Sequence, residues 1–148
     1  VDLAADARLL LAESLLLGRA ARGESFVSGA LTDRWQLRRD GRLLWADAFR
    51  LSGDVARLAA ALALLGGARA VATVLFTVPG CEAWLERLRA LPVPDGVRCG
   101  IGTLPGLLLV RLLAAAARPL RLGLEAVLTL LRTQALGRTE ALPKMWSC

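Results

Sequence analysis

The chain contains no histidine, no tyrosine and no asparagine, and only one of its nineteen basic residues is a lysine. Without histidine it has no Ser-His or Cys-His catalytic pair and no imidazole ligand for a metal. It also lacks a GK[ST] phosphate loop, and Gly100-Ile101-Gly102 is not followed by the helix start that a dinucleotide-binding turn needs. These absences argue against most hydrolases, zinc sites and nucleotide-binding sites.

Cysteine is scarce, since Cys81, Cys99 and Cys148 are the only three. An odd number of cysteines without a CxxC motif is not a disulfide framework and is typical of a reduced, cytosolic chain with small buried thiols. A thiolate metal site is the alternative, but zinc normally takes four ligands and no spacing supplies the others. We therefore expect a cytoplasmic chain, in which no ligand spacing identifies a metal site.

Long uninterrupted apolar runs are missing, although 55% of the residues are hydrophobic. The longest runs are residues 58–68, closed by Arg69, and residues 107–117, interrupted by Arg111. Neither reaches the ~20 residues that cross a bilayer, and the start has no signal-peptide pattern. A length of 148 residues with 22% charged residues and a net charge of +6 predicts a single folded domain over residues 1–148.

The clearest structural signal is an alternation of apolar and polar residues on both sides of Asp40-Gly41. This dipeptide predicts a type I′ hairpin, because both central residues of that turn need a positive φ. The alternation places Trp35 and Trp45 on the sheet, where they would shield it. Upstream, residues 3–17 fit either a strand buried on both faces or a Leu-rich helix, and periodicity does not decide between them.

The rest of the chain alternates short helices and strands. Asp54 is a candidate N-cap for a helix over residues 55–65 that Gly66-Gly67 would end. The elements predicted after it are a buried strand over 70–78, an amphipathic helix over 81–91, a strand pair over 97–103 and 107–113, and a long helix from Pro119 to Gly137. This order predicts an α+β fold with a mostly antiparallel sheet and two or three helices toward the C-terminus.

Glu13 stands out because it interrupts an apolar stretch. A buried carboxylate must pair or become neutral, so we expect an ion pair with Arg19, Arg22 or Arg111. A role in partner binding or in a path for a metal ion is the second interpretation. Catalysis is the third, and it has the least support because the sequence brings no second catalytic group near Glu13.

Arginines cluster on the predicted hairpin beside its two tryptophans. They are Arg34, Arg38, Arg39 and Arg42. Basic residues interleaved with aromatics are typical of proteins that bind single-stranded nucleic acid, so a small basic nucleic-acid-binding module is one functional hypothesis. However, Asp33, Asp40 and Asp47 lie among these arginines and would repel phosphate. A solvated sheet face with cross-strand ion pairs is the alternative.

Several short segments occur in a characteristic order along nearly the whole chain. They are Glu13 to Glu24 with its Leu-Gly-Arg and Gly-Glu, Leu31 to Leu43 followed by Asp47 and Leu51-Ser52-Gly53, then Gly106 to Arg111, and Leu142-Pro143-Lys144-Met145-Trp146. Each is weak by itself. Taken together they resemble the C-terminal half of the UreD family of urease accessory proteins, called UreH in some bacteria.

The resemblance implies a β-rich fold and a non-enzymatic part in loading nickel into apo-urease. UreD-like proteins dock on the urease apoprotein and recruit UreF, which carries the GTPase UreG. On this basis we expect a partner-binding charge cluster at a strand end, with Arg111 as a partner of Glu13. The members of that cluster are Glu13, Arg19, Arg22 and Glu24. No tightly bound cofactor, nickel at most in transit, and no nucleic-acid or membrane partner are also implied.

The resemblance covers only the C-terminal half of the family, because its upstream glycine-rich and TTQ segments have no counterpart here. We therefore expect Val1 to fall inside the domain. The upstream half would supply strands that pair with residues 3–17 and 25–50. Without it, those strands would present unpaired edges and apolar faces, which are an aggregation hazard.

Overall fold

A computed structural model describes residues 1–18, 22–139 and 142 of the chain. The strands are β1 (Asp2–Leu3), β2 (Leu9–Leu16), β3 (Ser28–Arg39), β4 (Arg42–Asp54), β5 (Ala70–Thr77), β6 (Val97–Leu104) and β7 (Leu107–Ala114). The α-helices are α1 (Val55–Ala60), α2 (Leu85–Arg89) and α3 (Ala117–Leu130). A 3₁₀ turn, Cys81–Trp84, precedes α2, and a π-helical turn, Leu131–Ala135, extends α3. The α+β prediction is confirmed.

The strands form two sheets that face each other. Sheet A has the order β1-β3-β4, and sheet B has the order β2-β5-β7-β6. All neighbouring strands are antiparallel except the short β1, which is parallel to β3. The inner faces meet where Trp35 and Leu37 of sheet A pack with Leu75 and Leu107 of sheet B. The mostly antiparallel arrangement predicted for the sheet is therefore confirmed.

Helix α3 covers the opposite face of sheet B and makes a third layer. The even-numbered residues of β5 and β7, among them Phe76 and Leu108, pack with Leu124 of α3 in the larger core. The five apolar residues predicted for the inner side of this helix are all buried, namely Leu120, Leu124, Val127 and Leu128 of α3 and Leu131 of the π-helical turn. Over the described ranges, none of the helices combines the length and the apolar character that crossing a bilayer requires.

Backbone geometry confirms the hairpin. Asp40 and Gly41 have φ angles of 48° and 72°, the two positive values that a type I′ turn needs. A register shift between Leu37 and Arg38 marks a β-bulge just before the turn. The ambiguous segment upstream is a strand, because β2 pairs with β5 from Leu9↔Thr77 to Leu16↔Ala70. The segment is a strand and not a helix because it forms hydrogen bonds with a strand that is distant in sequence. Local periodicity does not reveal such bonds.

The helix after Asp54 is shorter than predicted. Asp54 does cap it, since its Oδ1 accepts the backbone N–H of Arg57 at 2.9 Å. However, α1 ends at Ala60, and the backbone of Ala61 is extended with φ −64° and ψ 123°. The chain then turns so that Leu65 is buried at 5% exposure beside Val55. The predicted tail after Leu142, like Arg19, lies outside the described residues.

Candidate functional site

A cavity of about 330 Å³ lies between the two sheets and is lined by charged and polar residues of both. On sheet B, Glu13 of β2, Thr73 of β5 and Arg111 of β7 are register partners, so they form one row across three strands. Sheet A contributes a second polar set from the hairpin, which consists of Asp33, Trp35, Trp45 and Asp47. The strand alternation explains this, because side chains two residues apart share a face.

The Trp35 indole links two carboxyl groups that come from opposite sheets. Its Nε1–H donates to Glu13 Oε2 at 3.0 Å and to Asp33 Oδ2 at 2.6 Å. Burial raises the pKa of Glu13, and the hydrogen bond to Asp33 and repulsion by its charge raise it further, while the Trp35 N–H lowers it. Two carboxyl groups this close do not ionise freely together, so Glu13 retains its proton more readily than an exposed glutamate does.

Glu13→Gln is expected to change the pH dependence of stability. Because the folded pKa of Glu13 is raised above its ordinary 4.5, its stabilising contribution is fully present below that value and is lost as pH rises through the folded pKa. Glutamine cannot ionise, so the variant should not show this loss. Urea unfolding from about pH 4 to about pH 8 measures the difference. A decline with pH as steep as that of the parent chain would contradict the assignment.

Arg111 pairs with Asp47 of the facing sheet and not with Glu13. The predicted Glu13–Arg111 pair is therefore wrong. Thr73 on the middle strand separates the two residues within sheet B, and the long arginine side chain reaches across the gap to β4 instead. The side chains of Arg111 and Asp47 are 47% and 34% exposed, so the pair adds little to stability. It provides a second polar link between the two sheets.

The remaining predicted residues do not line the cavity. Arg22 and Glu24 belong to the connection between β2 and β3, and Arg19 lies outside the described residues. Glu13 itself is in the middle of β2 and not at its end. Of the predicted set, the cavity thus brings together Glu13 and Arg111.

Sequence reasoning missed the part that Asp33, Trp35 and Asp47 play in the site. The signal that could have found them is the alternation in the hairpin, which places odd-numbered polar residues on the same face as Trp35, Leu37 and Trp45. A strand face with two tryptophans is expected to be buried against another part of the protein. Carboxylates on it are therefore candidates for an enclosed site.

Sequence comparison identifies the family. The family described as UreD urease accessory protein matches residues 1–147 of the chain. The chain belongs to the UreD family. This finding confirms the resemblance that the ordered segments indicated, and the fold described above is that of a UreD-family chain.

Individual UreD proteins match the chain over nearly its whole length. UreD 2 of Methylorubrum populi is 48% identical over 147 residues, which cover 98% of this chain and 48% of that protein. UreD of Xanthobacter autotrophicus is 44% identical over 149 residues, with 99% and 49% covered. UreD of Rhizobium leguminosarum bv. trifolii is 44% identical over 147 residues, with 99% and 51% covered. The chain spans about half the length of these curated relatives.

The donors that this UreD chain offers to a metal ion are mainly carboxylate oxygens. In the described part of the chain, no three or more side chains of His, Cys, Asp or Glu are grouped so that they could hold a metal ion. Burial raises the pKa of both the Cys81 and the Cys99 thiol, so neither is a ready thiolate donor. Glu13, Asp33 and Asp47 are the carboxylates that face the cavity.

Proposed function

We propose that this chain forms part of a non-catalytic scaffold for inserting nickel into the urease apoprotein. The scaffold holds UreF, and through UreF the GTPase UreG, against the apoprotein. The match to the UreD family over residues 1–147 carries the proposal. Because the chain spans about half the length of its relatives, we expect full activity to need the additional segment that they carry. Free thiols at Cys81 and Cys99 are in keeping with a reducing cytoplasm.

The chemistry of the cavity supports binding over catalysis. Glu13 and Asp33 share the Trp35 donor, and Arg111 is occupied by Asp47, so these groups hold one another in place. Nickel is the cargo in this proposal. A few half-buried carboxylate oxygens bind a divalent cation weakly enough to release it, whereas a closed ligand set would retain it.

The alternative hypothesis, a nucleic-acid-binding module, required the two tryptophans of the hairpin to be exposed. Trp35 and Trp45 lie on the inner face of sheet A and pack edge to face, with ring centroids 6.1 Å apart at 70°. They are therefore not presented to solvent beside the outward-facing arginines. Single-strand binding relies on exposed aromatic platforms, so the hairpin does not support this alternative.

Co-expression with UreF and the urease apoprotein subunits tests the scaffold proposal. The chain should be produced alone and as a chimera behind the N-terminal half of M. populi UreD 2, which supplies the additional length. We expect at least one form, the chain alone or the chimera, to remain bound to UreF or to the urease apoprotein during a high-salt wash. A well-folded chimera that binds neither partner would overturn the proposal.

Glu13→Ala in the binding-competent form tests the part played by the cavity. The expected result is a loss on the order of tenfold in nickel loaded into urease, with co-purification unchanged. Arg118→Ala, on the exposed surface of α3, is the matched control and should load nickel normally. Nickel content and urease activity of the purified enzyme provide the two readouts. Full loading by the Glu13→Ala form would remove Glu13 from the mechanism.

A further inference from the structure

The outer face of sheet A differs in charge from the face that lines the cavity. Along β3 and β4, Asp33 and Asp47 share the inward face with Trp35, whereas Arg34 and Arg50 alternate to the other face and are exposed. Arg50 is also among the residues that line the cavity. From the sequence these aspartates were expected to lie among the arginines and to repel phosphate. The two-residue period of a strand instead places Asp33 and Asp47 on the face opposite to Arg34 and Arg50.

Arg34 and Arg50 form a diagonal pair of like charges on this outer face. Arg34 is opposite Ala48, and Arg50 is opposite Thr32, so the two arginines are diagonal neighbours. In such a pair the Cα atoms are about 7–8 Å apart. In the described part of the chain, no ion pair joins either guanidinium to a carboxylate. Like charges placed this close repel each other, so the pair has no stabilising effect within the sheet.

Asp2 and Asp54 place a carboxylate toward each end of this face. Asp2 is the register partner of Arg38 at one end, and Arg38 also donates to the Gly41 carbonyl at 3.1 Å. At the other end Asp54 accepts the backbone N–H of Arg57. The centre is formed by uncharged Gln36, Ala46 and Ala48, which are all exposed. Arg34 and Arg50 are therefore two exposed charges on this face without an ion-pair partner among the described residues.

We propose that this surface, called here the Arg34–Arg50 face, docks a carboxylate-rich protein surface. Guanidinium groups bind carboxylates in a bidentate manner, and two of them above a floor of alanines can be approached by a flat partner. Nucleic acid fits the face less well, because both tryptophans of the hairpin point to the other sheet and no aromatic side chain is left for stacking. A second copy of this chain fits poorly, since it would bring two basic faces together.

Binding of the chain to poly-L-glutamate, followed by fluorescence anisotropy at several salt concentrations, tests the proposal. Arg34→Glu with Arg50→Glu is expected to weaken binding by at least about tenfold, because two attractive contacts become repulsive. Arg118→Glu with Arg138→Glu is the control, as both are exposed arginines outside sheet A. Each change from arginine to glutamate lowers the formal net charge by two units. Both double variants therefore have a formal net charge of +2 in place of +6. We expect the control to weaken binding by less than about threefold.

Each other outcome contradicts the proposal. Equal losses in the two double variants would mean that net charge alone attracts the polymer. No binding by the parent chain would remove the face as a docking site, and tighter binding to single-stranded oligothymidylate at equal salt would favour nucleic acid. A dimer abolished only by the Arg34/Arg50 variant would identify a second copy as the occupant. Near-ultraviolet circular dichroism checks that both variants are folded. Neither UreF nor urease is involved, so the result is independent of the scaffold proposal.

Discussion

Phe76→Ala is expected to lower the free energy of unfolding by about 3–5 kcal/mol. Phe76 is completely buried in the core between sheet B and α3, where Leu10 and Leu108 are its partners on the neighbouring strands. Truncation removes a large apolar side chain and leaves a void that close-packed neighbours fill only in part. Domains of this kind have a total stability of about 5–15 kcal/mol, so this single change is expected to remove a large part of it. Urea unfolding followed by circular dichroism measures the loss.

Two further variants keep this prediction testable if Phe76→Ala does not fold. Phe76→Leu retains most of the volume and should cost about 1.5 kcal/mol or less. Phe49→Ala removes the same side chain from the border of the inter-sheet cavity, where Phe49 is only partly buried, and should cost less than Phe76→Ala. A larger loss at Phe49 than at Phe76 would mean that the main core lies between the sheets.

Trp35→Phe is expected to lower the free energy of unfolding by about 1–2 kcal/mol near neutral pH. The change keeps an aromatic ring in contact with Trp45 but removes the N–H that Glu13 and Asp33 share. Without that donor the pKa of Glu13 rises further, because the Trp35 hydrogen bond lowers it in the parent chain. The loss should therefore be greatest at high pH and smallest at acidic pH, where the protonated Glu13 carboxyl group does not need the donor.

A double-mutant cycle with Glu13→Gln separates the hydrogen bond from ring packing. If the indole stabilises the carboxyl pair, Trp35→Phe should cost less in the Glu13→Gln background, since a neutral amide does not repel Asp33. Equal costs in both backgrounds, with no dependence on pH, would show that Trp35 acts only by packing. Unfolding curves of the four chains at two pH values complete the cycle.

Much of the fold followed from short-range patterns. Asp40-Gly41 has a conformational preference that few other dipeptides share, so the hairpin could be predicted from two residues and the alternation around them. The buried face of α3 followed from its helical period, and the capping role of Asp54 followed from its position before an apolar run. The helix after Asp54 was predicted too long, because its end depends on the burial of Leu65 beside Val55.

The candidate site could be predicted only in part. Glu13 was recognised as unusual because it is a carboxylate in an apolar stretch. Arg111 was identified as one of its candidate ion-pair partners. Their expected mutual pair does not form, because β5 lies between β2 and β7 and because Asp47 of the facing sheet is within reach of Arg111. The partners of a charged side chain depend on strand order and on layer packing, and neither can be read from one strand alone.

Ordered segments along the chain were enough to identify the UreD family and the α+β class, because both depend on residues that are close in sequence or on their order. The alternation in the hairpin likewise determined which side chains share a face. Only the tertiary structure decided what each face meets. Sheet B covers the face with the tryptophans and aspartates, and Arg34 and Arg50 are left on the face that it does not cover. Alternation assigns side chains to two faces, but long-range packing selects which face is buried.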